Sequence, residues 1–369
     1  MGKKKIPTTW HMEQHTKAKH LILEQYLKGW FPIIGKHEKR IVYLDGFAGP
    51  GIYTNDEEGS PIIAIKTAIN NTQLKRIPDI RFLFIDKDQK RIETLEKTLK
   101  IKFSTYPDNI HVKTLHANFS DELNSILDEI EEDNSNLAPT FAFLDPFGYD
   151  DFSIDLIKRV LSYRKCEVLI TFVTGSIRRF LDPSHEKALD ALYGTSKWRD
   201  AREIIDSRKK LDFLLELYIK QLKQKAGVKH VKIFEMIRQD NNVTYHLVFC
   251  TNHWKGIEVM QNAMLKVDPR GLYKFSDRIT FEQTFFYIYA ESDDWIPGVA
   301  DTVFAKFKGK KVAEEKIHEF VIVETNHIYK KTKILKYLEE QKPPKIIEVI
   351  GRKRKGFFYP EKCLVKFAD

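Results

Sequence analysis

The sequence predicts an α/β protein: a mostly parallel sheet that ends in an antiparallel pair, followed by a small basic C-terminal domain. Three observations carry this. Short apolar runs alternate with amphipathic segments from residue 40 to residue 174. Two more apolar runs, 231–240 and 244–253, meet at Asn241-Asn242, which is a hairpin signal. Beyond residue 312 the periodicity becomes helical, then gives way to a lysine- and arginine-rich turn between two β-like runs. Strands this apolar, separated by helices, belong to a parallel sheet covered on both faces.

In order, residues 12–30 read as a helix with Leu23, Tyr26, Leu27 and Trp30 near one face. RIVYLDGF (40–47) is the first strand. Residues 60–70 follow as a helix, with Ser60 as cap and Pro61 at its first position. IRFLFID (80–86) is the second strand, 87–102 a charged helix, and HVKTLHAN (111–118) the third strand. Residues 120–133 form a helix and TFAFLDPFG (140–148) the fourth strand. Helix 153–163 and strand EVLITFVT (167–174) complete the alternation. A polar stretch (175–207) precedes a helix at 210–227 that Gly227 closes, and then the hairpin. Proline and glycine punctuate 268–300, around TFEQTFFYIYA. Residues 312–325 and 329–341 read as helices, and 345–360 as strand, basic turn, strand. This tail resembles a winged helix-turn-helix, with Arg352, Lys353, Arg354 and Lys355 in its turn. The expected domains are 1–270 and 301–369, joined by 271–300.

The chain is 42% hydrophobic and 31% charged, enough for a core and for solubility. No apolar run approaches the roughly 20 residues of a membrane span. The basic N-terminus lacks an apolar segment behind it, and Ile6 breaks a myristoylation pattern at Gly2. A cytoplasmic protein is expected. Cys166, Cys250 and Cys363 are far apart in apolar contexts, which suggests reduced core cysteines and no metal site. The net charge of +9, from 61 Lys and Arg against 52 Asp and Glu, suits an anionic partner, most simply nucleic acid.

The segment VYLDGFAGPG (42–51) puts glycines directly after the first strand. Such a turn lets a ligand approach the backbone closely at the carboxyl end of a sheet. The spacing is not GxGxxG: Asp45 precedes Gly46, Gly49 and Gly51. No Gly-Lys-Ser/Thr follows, so this is not a nucleoside triphosphate loop. An acid in front of the glycines favours a ligand that is cationic rather than phosphorylated.

DGFAGPG resembles the first motif of class I S-adenosylmethionine methyltransferases, which have a Rossmann-like sheet ending in an antiparallel hairpin. The resemblance implies that Asp45, Gly46, Phe47, Gly49 and Gly51 hold S-adenosylmethionine. It implies that Asp86, at the end of strand two, meets the ribose hydroxyls. It places Asn118, after strand three, near the adenine. Asp145-Pro146-Phe147-Gly148 resembles the D/N-P-P-Y/F motif of amino-methylating nucleic-acid methyltransferases, and more closely the D-P-F-G of tRNA guanine-N2 dimethyltransferases. The chemistry explains the residue types. An exocyclic amine conjugated to a base is a poor nucleophile. A carboxylate and a proline carbonyl can hold its hydrogens, aim its lone pair and stabilise the charge it develops. Phe147 can stack on an extruded base. Cytosine-C5 chemistry would need a cysteine following proline, and none does.

Over most of its length the chain is also similar to the bacterial three-Cys-motif partner proteins (TcmP). The shared features are Trp10-His11, His15-Thr16, Lys19, YLDGFAGPG, Gly59-Ser60-Pro61, FLDPFG and the winged-helix-like end. That resemblance implies a partner carrying three cysteines and resembling radical-SAM proteins. The expectation is N-methylation of a base in RNA or DNA. The alternative is a non-catalytic nucleic-acid-binding adaptor for that partner. His15, Lys19 and His20 are candidates to meet a cofactor carboxylate or a phosphate, and Arg178 and Arg179 a phosphate or a substrate carboxylate. Tyr149 is a candidate to flank the target. Lys17 reads as part of a solvated helix face.

Overall fold

The computed structural model describes residues 8–9, 11–177, 180–237, 243–276, 293–325, 327–354 and 356–369. Trp10, Arg178, Arg179, the Asn241-Asn242 turn, TFEQTFFYIYA and Lys355 lie outside the described residues. The chain divides into two compact units: Met1–Asp268 with Leu272–Phe281, and Glu282–Asp369 with Pro269–Gly271.

The first unit is built on a sheet of order β3-β2-β1-β4-β5-β7-β6-β8. Its strands are β1 (Arg40–Asp45), β2 (Asp79–Asp86), β3 (Ile110–His116), β4 (Thr140–Leu144), β5 (Glu167–Phe172), β6 (His230–Ile237), β7 (Val243–Thr251) and β8 (Lys274–Ser276). Only β7 runs against the rest, pairing antiparallel with both β5 and β6. The parallel sheet and its terminal hairpin are thus present, in an arrangement consistent with a Rossmann-like methyltransferase sheet. The order reverses between β1 and β4, so the chain leaves them in opposite directions and opens a crevice at their carboxyl ends. Register sets the floor of that crevice. Asp45 lies beside Phe84 of β2 and Phe143 of β4, so Asp86 and Asp145 each emerge two residues further on.

Helix α1 (Gln14–Gly35) closes the crevice from one face. Ala18, Ile22, Tyr26 and Trp30 recur at every fourth position and are buried, which gives the helix its inward stripe. The Tyr26 ring packs on Phe141 of β4 (centroids 4.9 Å) and Phe249 of β7 (5.1 Å). Its hydroxyl donates to Glu167 Oε2 at 2.5 Å, while Thr251 Oγ1 donates to Glu167 Oε1 at 2.6 Å. One buried carboxylate therefore joins α1, β5 and β7. Helices α2 (Ser60–Ile69), α3 (Gln89–Lys102) and α4 (Phe119–Glu132) each follow one of the first three strands. Next come α5 (Ile154–Ser162), the single turn α6 (Thr174–Ile177), α7 (Glu186–Tyr193), α8 (Ser207–Gln224) and α9 (Trp254–Leu265). Residues of α4, α5, α7 and α8 share a core with the sheet, where Phe172 stacks on Tyr218 at 4.2 Å.

The stretch 175–207 is more ordered than its polarity suggests. Leu189, Leu192, Tyr193 and Trp198 are buried there. Arg199 bonds Asp190 (2.7 Å) and Glu186 (2.9 Å), and Arg202 bonds Glu186 (2.7 Å). The charges that hide the helical pattern are the ones that hold it.

Among the described residues the second unit has three helices, α10 (Ile296–Phe307), α11 (Glu314–Glu324) and α12 (Lys331–Glu340). It also has an antiparallel sheet of order β10-β11-β9, with β9 at Lys311–Ala313, β10 at Ile346–Ile350 and β11 at Leu364–Phe367. Its core includes Val303, Ile317, Val321, Leu335, Leu338 and Val365. Helix α10 begins ahead of residue 301. Val312 pairs with Val365 as part of a strand, so the helix expected from residue 312 starts at Glu314.

Glu167→Ala strands the buried Tyr26 hydroxyl and leaves the Thr251 hydroxyl only a long 3.4 Å bond to His253 O. Chemical denaturation should show a loss of about 3 kcal/mol, with Glu167→Gln losing less.

Candidate functional site

The glycine loop is held by its own amides. Gly46 N donates to Phe143 O (3.1 Å), and Phe47 N to Asp45 Oδ1 (3.2 Å). Ala48 N donates to Ile85 O (2.9 Å), and Gly49 N to Asp86 Oδ2 (3.0 Å). Further along, Gly59 N closes the loop onto Gly51 O at 2.9 Å. Successive amides from 46 to 49 are therefore spent on the protein. Phosphate sites work by leaving such amides free. Gly49 and Gly51 sit at φ +62° and +72°, where a side chain is strained, and a Cβ on Gly51 would come within 2.6 Å of Leu95 Cδ1.

Two of the expected acids organise this loop from behind. Asp86 is buried, with Oδ1 accepting from Asp88 N (2.8 Å) as Oδ2 takes Gly49 N; Arg91 lies 3.8 Å away. Asp45 is fully buried and also takes a long 3.4 Å bond from Tyr43 OH. Burial pushes its carboxyl up to about 7, against the lowering effect of the Ser60 hydroxyl and the Phe47 amide, while the nearby Asp145 pushes it further up.

Between the loop, α1 and the end of β4 lies a cavity of about 240 Å³. Phe47, Gly49, Gly51, Asp145, Pro146 and Phe147 line it, joined by His15, Lys19 and His20 from α1 and by Tyr53, Ser60, Thr171 and Tyr245. Lys19 Nζ donates to Asp145 Oδ2, and the lysine side chain is only 6% exposed. Burial drives the Asp145 carboxyl up, but the adjacent Lys19 ammonium outweighs it and holds the group below its usual range. Lys19 also stands over the Tyr245 ring, whose hydroxyl donates to His15 O at 3.1 Å. His20 is buried, and its Nδ1 has no hydrogen-bond partner. Burial, and then the Lys19 charge, lower its pKa to about 3, so the imidazole is neutral. Lys17 pairs with Glu57 and ties α1 to the loop. Phe147 is 45% exposed at the rim, with the Arg91 guanidinium 4.6 Å from its ring.

The structure thus gathers most of the expected residues and sorts them. Phe47, Gly49, Gly51 and Asp145–Phe147 face the cavity; Asp45, Gly46 and Asp86 support the loop; Gly148 lies past the rim. Asn118 does not line the cavity. It caps α4, accepting from Ser120 N (2.9 Å) and Asp121 N (3.2 Å). Tyr149 packs on Phe180 and His185. The partner of Asp145 escaped the sequence reading. Lys19 shares its helical register with Leu23 and Leu27, and a lysine in an apolar stripe signals a buried charge with a partner. In the second unit Arg352 is committed to Glu339, leaving Lys353 and Arg354 exposed.

Among the described residues, no group of His, Cys, Asp and Glu is placed to hold a metal, and no helix is long and apolar enough to cross a membrane. All three cysteines are free and buried.

No protein-family model matches the chain, and neither does any curated protein sequence. Among solved structures it is similar to Trm1 from Pyrococcus horikoshii in complex with S-adenosyl-L-methionine, at 12% identity and a TM-score of 0.34. That match covers 70% of this chain and 61% of the other, so the chain spans less than two thirds of that relative. It is also similar to the methyltransferase domain of bacterial CtHen1-C, at 13% identity and a TM-score of 0.29, covering 63% and 100%. A third is the SAH-bound Podospora anserina methyltransferase PaMTH1, at 10% identity and a TM-score of 0.28, covering 66% and 89%.

Two outcomes follow from the charges. Lys19→Met leaves Asp145 without its counter-charge on the cavity floor. It should destabilise the protein by about 3–5 kcal/mol, read in a denaturant titration, with the loss recovered in Lys19→Met/Asp145→Asn. For Asp45, the folded pKa stands above the unfolded one, so its contribution to stability is complete below about pH 4 and lost as pH rises through about 7. Unfolding midpoints between pH 5 and 8.5 should fall in the wild type and flatten in Asp45→Asn.

Proposed function

We propose that the chain is an S-adenosylmethionine-dependent N-methyltransferase acting on an exocyclic amine of a nucleic-acid base. One observation carries the reading: the glycine loop and the Asp145-Pro146-Phe147 turn meet in a single cavity at the reversal of the parallel sheet. The site's composition fits the cofactor. The loop's spent amides do not suit a phosphate, whereas a zwitterionic sulfonium suits a cavity with a carboxylate, a lysine and a neutral imidazole whose Nδ1 has no hydrogen-bond partner. Lys19 and His20 would meet the cofactor's carboxylate end, and Phe47, Gly49 and Gly51 would give its body close backbone contact. When bound, the cofactor supplies an electrophilic methyl group. The chain's own part is to hold the amine: Asp145 and the Pro146 carbonyl accept its hydrogens, and the carboxylate stabilises the positive charge that grows on nitrogen. Phe147, braced by Arg91, offers a ring to the base.

The second unit fits this reading as a winged helix. Its order is helix, strand, helix, helix, strand, basic turn, strand, which supports a nucleic-acid-binding role. We further propose membership of the three-Cys-motif partner proteins, and with it a radical-SAM-like partner.

One observation favours the adaptor reading. The Asp145 carboxylate is already satisfied by Lys19, as it would be in a site that has lost turnover. Calorimetric titration with S-adenosylmethionine and methyl transfer to total RNA and DNA separate the two. The enzyme reading expects micromolar binding and label transfer, with transfer lost in Asp145→Ala while cofactor binding persists. Cofactor binding with no transfer to either nucleic acid, even with the partner present, supports the adaptor. Transfer at the wild-type rate by Asp145→Ala overturns the site assignment.

A further inference from the structure

The basic turn of the second unit has a different division of labour from the one its sequence suggests. Arg352 is a strut. Its guanidinium bonds both oxygens of Glu339 on α12 (2.7 and 2.8 Å), and its Nε donates to Phe358 O at 3.0 Å. Tyr359 OH donates to the same Glu339 at 2.6 Å, and the Tyr359 ring lies under the Arg352 guanidinium at 4.9 Å. This cluster fixes the turn against the helix and removes Arg352 from any phosphate contact.

What the strut holds up is aromatic. Phe357 and Phe358 are adjacent and stand 40% and 48% exposed at the tip of the turn. Each has a cation beside it: Lys336 Nζ lies 5.0 Å from the Phe357 ring and the Arg354 guanidinium 5.9 Å from the Phe358 ring. Lys353 is exposed next to them. The turn's own sequence, GRKRKGFF (351–358), contains no acid. Two exposed rings ringed by positive charge match the two needs of an unpaired nucleic-acid strand, whose bases stack on aromatic faces while its phosphates follow cations. A duplex offers such a surface only its phosphates, because its base faces are stacked away.

We propose that this turn is a stacking platform for single-stranded nucleic acid, with Phe357 and Phe358 each taking a base and Lys353, Arg354 and Lys336 meeting the backbone. This rests on the nucleic-acid reading above and narrows it to unpaired segments. It also assigns recognition to two phenylalanines outside the basic run.

The test uses the full chain, without cofactor, and the fluorescence anisotropy of a labelled oligonucleotide of about 12 nucleotides, single-stranded or as a blunt duplex, at several salt concentrations. The single strand should bind at least about tenfold more tightly than the duplex. Phe357→Ala/Phe358→Ala should lose about tenfold or more on the single strand and leave the salt slope unchanged. Lys353→Ala/Arg354→Ala should instead reduce that slope by about 1.4. All these side chains are exposed, so unfolding midpoints serve as a control for folding. Equal or tighter duplex binding, or unchanged binding by the phenylalanine variant, overturns the proposal. Failure to bind either form also overturns it and leaves the surface to a protein partner. Cofactor titration of the same variants reads the methyltransferase proposal separately, since neither substitution touches the cavity.

Discussion

The buried carboxylate of Glu167 decides where α1 lies, and α1 decides what the crevice of the sheet contains. Along its middle the helix meets the sheet through apolar contacts, which are nearly indifferent to small slides. Hydrogen bonds from Tyr26 and Thr251 to the two oxygens of one side chain remove that freedom. Two turns away, the same helix delivers Lys19 to Asp145, and the Tyr245 hydroxyl on β7 donates to the His15 carbonyl. A structural hydrogen bond at the amino end of β5 thereby sets the geometry of a chemical site at the carboxyl ends of β1 and β4.

In and behind the cavity, the Lys19 ammonium decides which groups carry charge. Asp145, in contact with an ammonium, stays ionised despite its burial, while Asp45, enclosed by neutral donors, is held near the middle of the physiological range. His20, pressed beside the same ammonium, stays neutral. Carboxylates a short distance apart thus have different readiness to carry charge, the arrangement by which active sites divide tasks among chemically identical groups.

Much of this was legible from residues alone. Apolar runs ending in Asp45, Asp86 and Asp145 mark strands that must be covered on both faces, and a parallel sheet brings their ends to one edge. The terminal hairpin was readable from its short polar turn. What was not legible concerns how side chains share partners. Asn118 has the right place in the chain for a ligand contact, but an asparagine before a helix is equally a cap, and the α4 amides claimed it. Arg352 reads as one cation of four until Glu339, thirteen residues earlier, folds against it. Residues 175–207 read as polar because arginine–carboxylate bonds between successive turns cannot be seen in composition. Lys19, a charge in an apolar register, signalled burial but not the partner it would take.

The self-satisfied glycine loop has a consequence for kinetics. A loop whose amides wait for a ligand is mobile until the ligand arrives, and binding must then order it. Here the ordering is completed when the sheet forms, because the acceptors are Phe143, Ile85, Asp86 and Asp45 themselves. Entry of a small molecule is then a question of diffusion and desolvation rather than of closure.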